Sequence, residues 1–233
     1  MRYCYIFGLI LIFLLSGCVG RQYSYESGYN ATSQDRVLYT QVLKTKVDCS
    51  DCSRFFGKEV FINGRYYTGD VALKCCLSKN LIDTDIGLKK VYIHRVVDRR
   101  KDAKGISYTS KYGKKWLYDT RPSIEALFVM FLQDELKSRG ILVVDTQTSP
   151  YTYKLDFDIN SFVADYVYGD RILNGRMYGG LRISNINFKR ELEISTKQQV
   201  RELRATQAKD FDFFVALLAK QAANKVAQVI ASF

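Results

Sequence analysis

The chain has 233 residues, 47% of them hydrophobic and 14% aromatic, which excludes a globally disordered protein and supplies a core. Lys and Arg number 35 against 24 Asp and Glu, a formal charge of +11, and such a surface attracts polyanions. Nucleic acid would be the first partner to consider in a cytosolic protein, so the compartment decides, and the first twenty residues address it.

Arg2 is a short positive start, and Tyr3 to Leu15 (YCYIFGLILIFLL) is almost wholly apolar. That run has the length of a secretory hydrophobic region and falls short of the roughly 20 apolar residues a membrane helix needs. It ends in Leu15-Ser16-Gly17-Cys18, an aliphatic residue and two small ones ahead of a cysteine. This resembles the lipobox of bacterial lipoproteins. The resemblance implies that residues 1–17 are a signal peptide, that cleavage falls before Cys18, and that Cys18 carries the lipid, palmitate among its acyl chains. Residue 19 is Val rather than Asp, so the inner-membrane retention signal is missing. The implied address is the periplasmic face of the outer membrane. One acyl chain holds a protein weakly and several hold it stably. In that setting the polyanions are lipid phosphates, lipopolysaccharide and cell-wall glycan carboxylates, and no nucleic-acid partner is expected. Residues 18–36 are polar and lack apolar periodicity, which predicts a lipidated flexible tether.

Residues 37–87 read as a small cysteine-containing subdomain. Val37-Leu38-Tyr39 and Val42-Leu43 fit the start of either a strand or a short helix. Val60-Phe61-Ile62, Asn63-Gly64 and Arg65-Tyr66-Tyr67 predict a hairpin, because Asn-Gly favours a type I′ turn. Cys49, Cys52, Cys75 and Cys76 lie on either side of it. In an oxidising compartment they predict two disulfides, each crossing between the 49/52 pair and the 75/76 pair, since adjacent cysteines bond to each other only under strain. The pairing itself is not readable. A four-sulfur zinc site is the second reading, weakened by the poor chelating geometry of Cys-Cys. A thioredoxin-like use of Cys-Ser-Asp-Cys is weaker again, because no strand–CxxC–helix context follows.

Residues 88–233 show cleaner periodicity. Val91, Ile93 and Arg95 share one side of a strand, and Ile106 to Tyr112 is a second. Arg121-Pro122-Ser123 opens a helix whose Ile124, Leu127, Phe128, Phe131, Leu132 and Leu136 follow i, i+3, i+4 spacing. Lys137 and Arg139 complement its negative end, and Gly140 supplies a left-handed cap. Ile141 to Val144 reads as a short buried strand. Tyr151, Tyr153, Leu155, Phe157 and Ile159 alternate with polar residues, giving a strand with one wet face. Phe162, Ala164, Tyr166 and Tyr168 continue on the opposite parity, which predicts a bulge near Asn160-Ser161. A long turn is expected from Gly169-Asp170, with Leu181, Ile183, Ile186 and Phe188 on the return strand and Leu192, Ile194 and Val200 on another. Asp210 is expected to cap a closing helix with an apolar stripe from Phe214 to Phe233, with Lys220, Asn224, Lys225 and Gln228 mainly beside or opposite it. The expected fold is α+β: an antiparallel sheet with two helices on one face, a two-layer sandwich, plus the cysteine-rich elaboration.

The run Val97-Asp98-Arg99-Arg100, the helix segment Phe131-Leu132-Gln133-Asp134-Glu135-Leu136 leading to Ser138-Arg139-Gly140, then Tyr153-Lys154-Leu155-Asp156-Phe157 and Val163-Ala164-Asp165-Tyr166 together resemble the YajG-type family of bacterial lipoproteins over residues 90–233. More distantly the plan is similar to the auxiliary lipoproteins of lipid-transport ABC systems. The resemblance implies a fold and a compartment and little mechanism, and the cysteine region departs from it.

Chemistry has little support. His94 is the only histidine and has no acidic partner at metal-ligand spacing. Asp156 and Asp158 share a strand face and read as solvated. No hydrolase, metalloprotease or phosphate-loop motif occurs, so no catalytic residue, metal or cofactor is expected. Basic and aromatic residues mix at Lys111, Lys114, Lys115 and Trp116, and again at Arg171, Arg176 and Arg182, a candidate patch for an anionic lipid head group or glycan. The expected role is a non-enzymatic accessory or scaffold subunit of an envelope assembly with a protein partner. The alternative is a lipid- or glycan-binding component of an envelope transport system, which a hydrophobic cavity between sheet and helices would favour.

Overall fold

The computed structural model describes residues 31–45, 59–70, 89–102 and 104–233. In chain order the elements are α1 (Ser33–Lys44), β1 (Val60–Ile62), β2 (Arg65–Gly69), β3 (Lys90–Asp98), β4 (Ile106–Thr109), β5 (Lys115–Tyr118), α2 (Ile124–Lys137), β6 (Leu142–Val144), β7 (Tyr153–Val167), β8 (Ile172–Asn185), β9 (Phe188–Arg201), a 3-10 turn (Ala208–Phe211) and α3 (Asp212–Ala231). The strands form one sheet in the order β1-β2-β9-β8-β7-β3-β6. The long β7 carries β3 along its first half and β4, followed by β5, along its second.

Among the described residues the helices cover one face, as expected. α2 packs over β3 and β6, and α3 over β8 and β9. The sheet is mixed rather than antiparallel, because β3 runs parallel to both β6 and β7, and β4 parallel to β7. A third helix joins the two expected ones. α1 begins at Ser33, within the stretch predicted as tether, because Thr32 and Asp35 form a reciprocal capping box, which satisfies two orphan donors at once. Its Leu38 and Val42 are buried and Tyr39 lies 5.0 Å from the Phe131 ring. Asp35 also accepts from the Ser123 backbone N–H at 3.0 Å, and Gln34 donates to Asp212 at 2.8 Å. The N-terminus of α1 thus ties together the starts of α2 and α3.

The Asn63-Gly64 hairpin forms as predicted, with Ile62 opposite Arg65 and both turn residues at positive φ. β2 then pairs with β9, so β1 and β2 extend the main sheet. The bulge between Ile159 and Ser161 is present. It restores Phe162, Ala164 and Tyr166 to the buried face. Several expectations need correction. First, Arg171 to Arg182 is not a long turn. β8 starts at Ile172, and its alternation is hidden because glycines occupy buried-face positions. A Cβ on Gly175 would sit 2.6 Å from Phe214, and one on Gly179 2.4 Å from Phe157. Second, Arg95 does not share a side with Ile93. The β3–β7 register shifts between them, so Val96 turns inward and Arg95 outward. Third, Ile141 to Val144 is an edge strand, with Leu142 47% exposed, and the predicted strand over 106–112 is instead a hairpin of β4 and β5.

The layer between helices and sheet is filled by aromatic and aliphatic side chains. Phe128 stacks on Phe157 at 4.3 Å, a contact worth about 1 kcal/mol beyond area burial. α3 is buried nearly all round, including Leu217, Leu218, Val226 and Ile230. Lys220, expected beside or opposite the apolar stripe, is only 2% exposed. It donates to Glu135 on α2 at 2.6 Å, while Arg139 and Asn224 bond the other Glu135 oxygen at 2.7 and 2.8 Å. Burial pushes the Glu135 carboxyl up, but Lys220 and Arg139 hold it below the ordinary carboxylate range. Among the described residues no helix is long and apolar enough to cross a membrane.

Candidate functional site

With α1, α2 and α3 on one face, the opposite face of the sheet carries no helix among the described residues. Strand alternation sends Asp156, Asp158, Val163, Asp165 and Val167 of β7 to that side, together with Asn174, Arg176, Tyr178 and Arg182 of β8. Glu191, Glu193, Ser195, Lys197, Gln199 and Arg201 of β9 join them. The surface divides into two ends of different character.

At the β3 end, Asp158 is 7% exposed and is ringed by cations. Arg182 reaches it at 2.9 Å, Arg99 at 3.0 Å and Arg95 at 3.6 Å. Burial pushes its carboxyl up, but the hydrogen bonds from Arg99 and Arg182 hold it below the ordinary range. His94 Nδ1 lies 2.7 Å from Asp156 Oδ1. The partner that sequence spacing could not show sits on the neighbouring strand, 62 residues away. Asp158 is therefore a charge held by arginines, not a solvated side chain and not a free base. Among the described residues no group of three or more His, Cys, Asp and Glu is placed to hold a metal ion.

At the β2–β4 end the compensation stops. Arg176 on β8 stands directly opposite Lys197 on β9, with Val163 on its other side. Among the described residues neither side chain has an acidic partner. The next row across the sheet reads Leu117, Ser107, Asp165, Asn174, Gln199 and Thr68. An open concavity of about 460 Å³ is lined by Thr68, Val163, Asp165, Asn174, Arg176 and Lys197, among others. Gln199 donates to Asn174 at 2.7 Å across its wall. Apolar side chains are exposed around it: Leu117 at 60%, Val163, Val167, Tyr66 and, on β1, Phe61 at 59%. Phe61 packs on Tyr66, and Arg201 lies over the Tyr66 ring and pairs with Glu59.

The seven residues of the predicted anionic patch are not brought together. Lys111 and Lys114 lie on the β4–β5 turn, with their ammonium groups over Tyr112 and Trp116. Lys115 and Trp116 alternate along β5, and Trp116 turns toward Tyr108. Arg171 is in the β7–β8 turn at positive φ. Arg182 is committed to Asp158, and Arg176 sits six residues away along the strand, about 20 Å. Lys197 was missed because its significance lies in the cross-strand register, which no local pattern reports. Cys18, Cys49, Cys52, Cys75 and Cys76 lie outside the described residues.

The geometry defines an α+β domain with helices packed on one face of a mixed sheet. The family model for the outer membrane lipoprotein MapA matches residues 3–233, and the chain belongs to that family. Two relatives named outer membrane lipoprotein MapA, from Campylobacter jejuni serotypes O:6 and O:2, are each 37% identical over 203 residues, 86% of this chain and 90% of theirs. The protein is accordingly an outer membrane lipoprotein. This overturns the YajG-type resemblance. The motifs behind it are strand ends and helix caps that many helix-on-sheet domains share, whereas the matching family spans the cysteine region as well. Among solved structures, the rare lipoprotein B of Shewanella oneidensis aligns over 59% of this chain and 94% of its own, at 12% identity and a TM-score of 0.37.

Proposed function

We propose that the protein is held by lipid on Cys18 at the periplasmic face of the outer membrane, and that it serves as a non-enzymatic accessory subunit that docks an envelope protein on the open face of its sheet. The carrying observation is the asymmetry of the sheet. Three helices occupy one face, while the other exposes Phe61, Leu117, Val163 and Val167 among charged and amide side chains. Scattered apolar residues in a polar field have the composition of a protein interface, whereas lipid tails would call for a continuous apolar lining. The layer between sheet and helices, where a carried lipid would sit, is packed with Phe128, Phe157, Phe214 and Met177. In an oxidising periplasm the four cysteines 49, 52, 75 and 76 form two disulfides.

The test is site-specific photocrosslinking of the full-length protein in cells. A crosslinker at Leu117 or Val163 should capture a discrete partner, and one at the exposed Lys137 on α2 should not. Capture only from position 137, or from no position, would remove the docking reading. Cys18→Ala should abolish acylation, and palmitate still entering that variant would remove the anchor.

A further inference from the structure

We propose that the concavity between Arg176 and Lys197 is a binding site for a phosphate ester that carries a neighbouring hydroxyl group. The first argument is the register. Residues directly opposite on antiparallel strands hold their Cβ atoms about 5 Å apart, and like charges there are destabilising. Arg176 and Lys197 are such a pair on the solvent side of the sheet. The open face elsewhere avoids this arrangement: Arg182 has Asp158, and Arg201 has Glu59. The carboxylate nearest Lys197 in sequence register is already engaged. Asp70 accepts from the Lys225 ammonium at 2.7 Å and from the Lys197 backbone N–H at 3.2 Å. Among the described residues no anion lies between these two cations, and an anion there would relieve their repulsion.

The second argument is the lining. A guanidinium presents a planar fork to phosphate oxygens and an ammonium adds a point charge. Thr68, Asn174 and Gln199 add neutral polar groups along the same wall. Among the described residues Asp165 is the one carboxylate of the lining; it lies directly opposite Asn174. A bare anion gains nothing from Asp165, but a hydroxyl beside the phosphate can donate to it. At about 460 Å³ the concavity is at the small end of ligand sites, suited to a head group rather than an acyl chain. A phosphate ester bearing a hydroxyl occurs both as a lipid head group, such as phosphatidylglycerol, and as a soluble ester, such as glycerol 3-phosphate. The proposal does not depend on protein docking, which the crosslinking experiment tests separately.

Binding is measured by calorimetry on the mature lipidated protein in neutral detergent micelles. The titrants are inorganic phosphate, glycerol 3-phosphate and short-chain phosphatidylglycerol mixed into the micelles. Glycerol 3-phosphate should bind more tightly than inorganic phosphate. Arg176→Gln and Lys197→Gln should each weaken it at least tenfold, while Lys189→Gln, the same charge change at the far end of β9, leaves it intact. Tighter binding of phosphatidylglycerol would assign the site to a head group, and equal binding to soluble esters. Thermal melts establish that the variants fold, and Arg176→Lys, which keeps the charge and loses the fork, should give an intermediate loss. No binding of any titrant, or equal weakening by Lys189→Gln, would overturn the proposal.

Discussion

The two ends of the open sheet face use the same side chains to opposite ends. Around Asp158 three arginines converge on one carboxylate within 3.6 Å. Six residues from Arg182 along β8, Arg176 stands opposite Lys197, and among the described residues neither has an acidic partner. The first arrangement is complete in itself and holds β3, β7 and β8 in register. The second has no carboxylate partner among the described residues and costs stability unless an anion completes it, and such a cost is a common signature of a site kept for function. The contrast can be broken by removing the anion at the paired end. Asp158→Ala should destabilise the fold by about 2 kcal/mol, because Arg95, Arg99 and Arg182 are left facing one another with a partly buried cation uncompensated. Asp165→Ala, at the other end, should stay within about 0.5 kcal/mol of the parent. Urea denaturation of the two variants checks both, and equal losses would mean that the ends do not differ.

Two carboxyls of equal exposure differ more sharply still. Asp158 and Asp212 are both 7% exposed, yet their carboxyls move in opposite directions. Arginines hold Asp158 down. Asp212 is pushed up to about 6, chiefly by burial, with the Gln34 hydrogen bond opposing weakly. The linkage follows from which state binds more protons. Asp158, like Glu135, stabilises the fold above the ordinary carboxylate pKa, and that contribution is lost as pH falls through the depressed native value. Asp212 binds protons more tightly when folded, so it weakens the fold as pH rises from about 4 to about 6. Asp212→Asn should therefore be neutral near pH 4 and stabilising by about 1 kcal/mol at pH 7.5, after allowance for solvent screening. Melting temperatures of parent and variant across that range measure it, and a stabilisation that is already complete at pH 4 would refute it.

What was legible in the sequence follows physical range. The Asn63-Gly64 hairpin, the bulge near Asn160, the α2 periodicity and the Gly140 cap are set by residues within a few positions of each other, and each is found. The errors have a common form. β8 was hidden because Gly175 and Gly179 occupy its buried face, where Phe214 and Phe157 leave no room for a side chain. α1 needed the Thr32–Asp35 box to be weighed against a polar composition. Lys220, expected mainly beside or opposite the apolar stripe, is buried because Glu135 meets it from another helix, 85 residues away. The candidate site was half legible for the same reason. Arg176 stood out as a basic residue, but the pairing that gives it meaning is a cross-strand register, and a chain read in one dimension contains no such neighbour.

The smallest expected effect bears most directly on the uncompensated end. If Arg176 and Lys197 repel one another, then reversing either charge should turn a cost into a modest gain. Arg176→Glu should stabilise the ligand-free protein by on the order of 0.5 kcal/mol, because an opposite-charge pair replaces a like-charge pair across β8 and β9. Arg176→Glu combined with Lys197→Glu should lose that gain, since it restores like charges with the opposite sign. The effect depends on exposed groups, so it should shrink as ionic strength rises and the Debye length falls from about 10 Å at 0.1 M to about 3 Å at 1 M. A double-mutant cycle at both salt concentrations isolates the pair term from general charge effects. A coupling energy near zero at low salt would mean that the two side chains splay apart into solvent, and the concavity would then lack the focused positive charge that makes it a candidate for a phosphate ester. A coupling that survives 1 M salt would point to a desolvated contact rather than an open one. Only a salt-sensitive coupling of the predicted sign fits two cations held at the mouth of an open concavity.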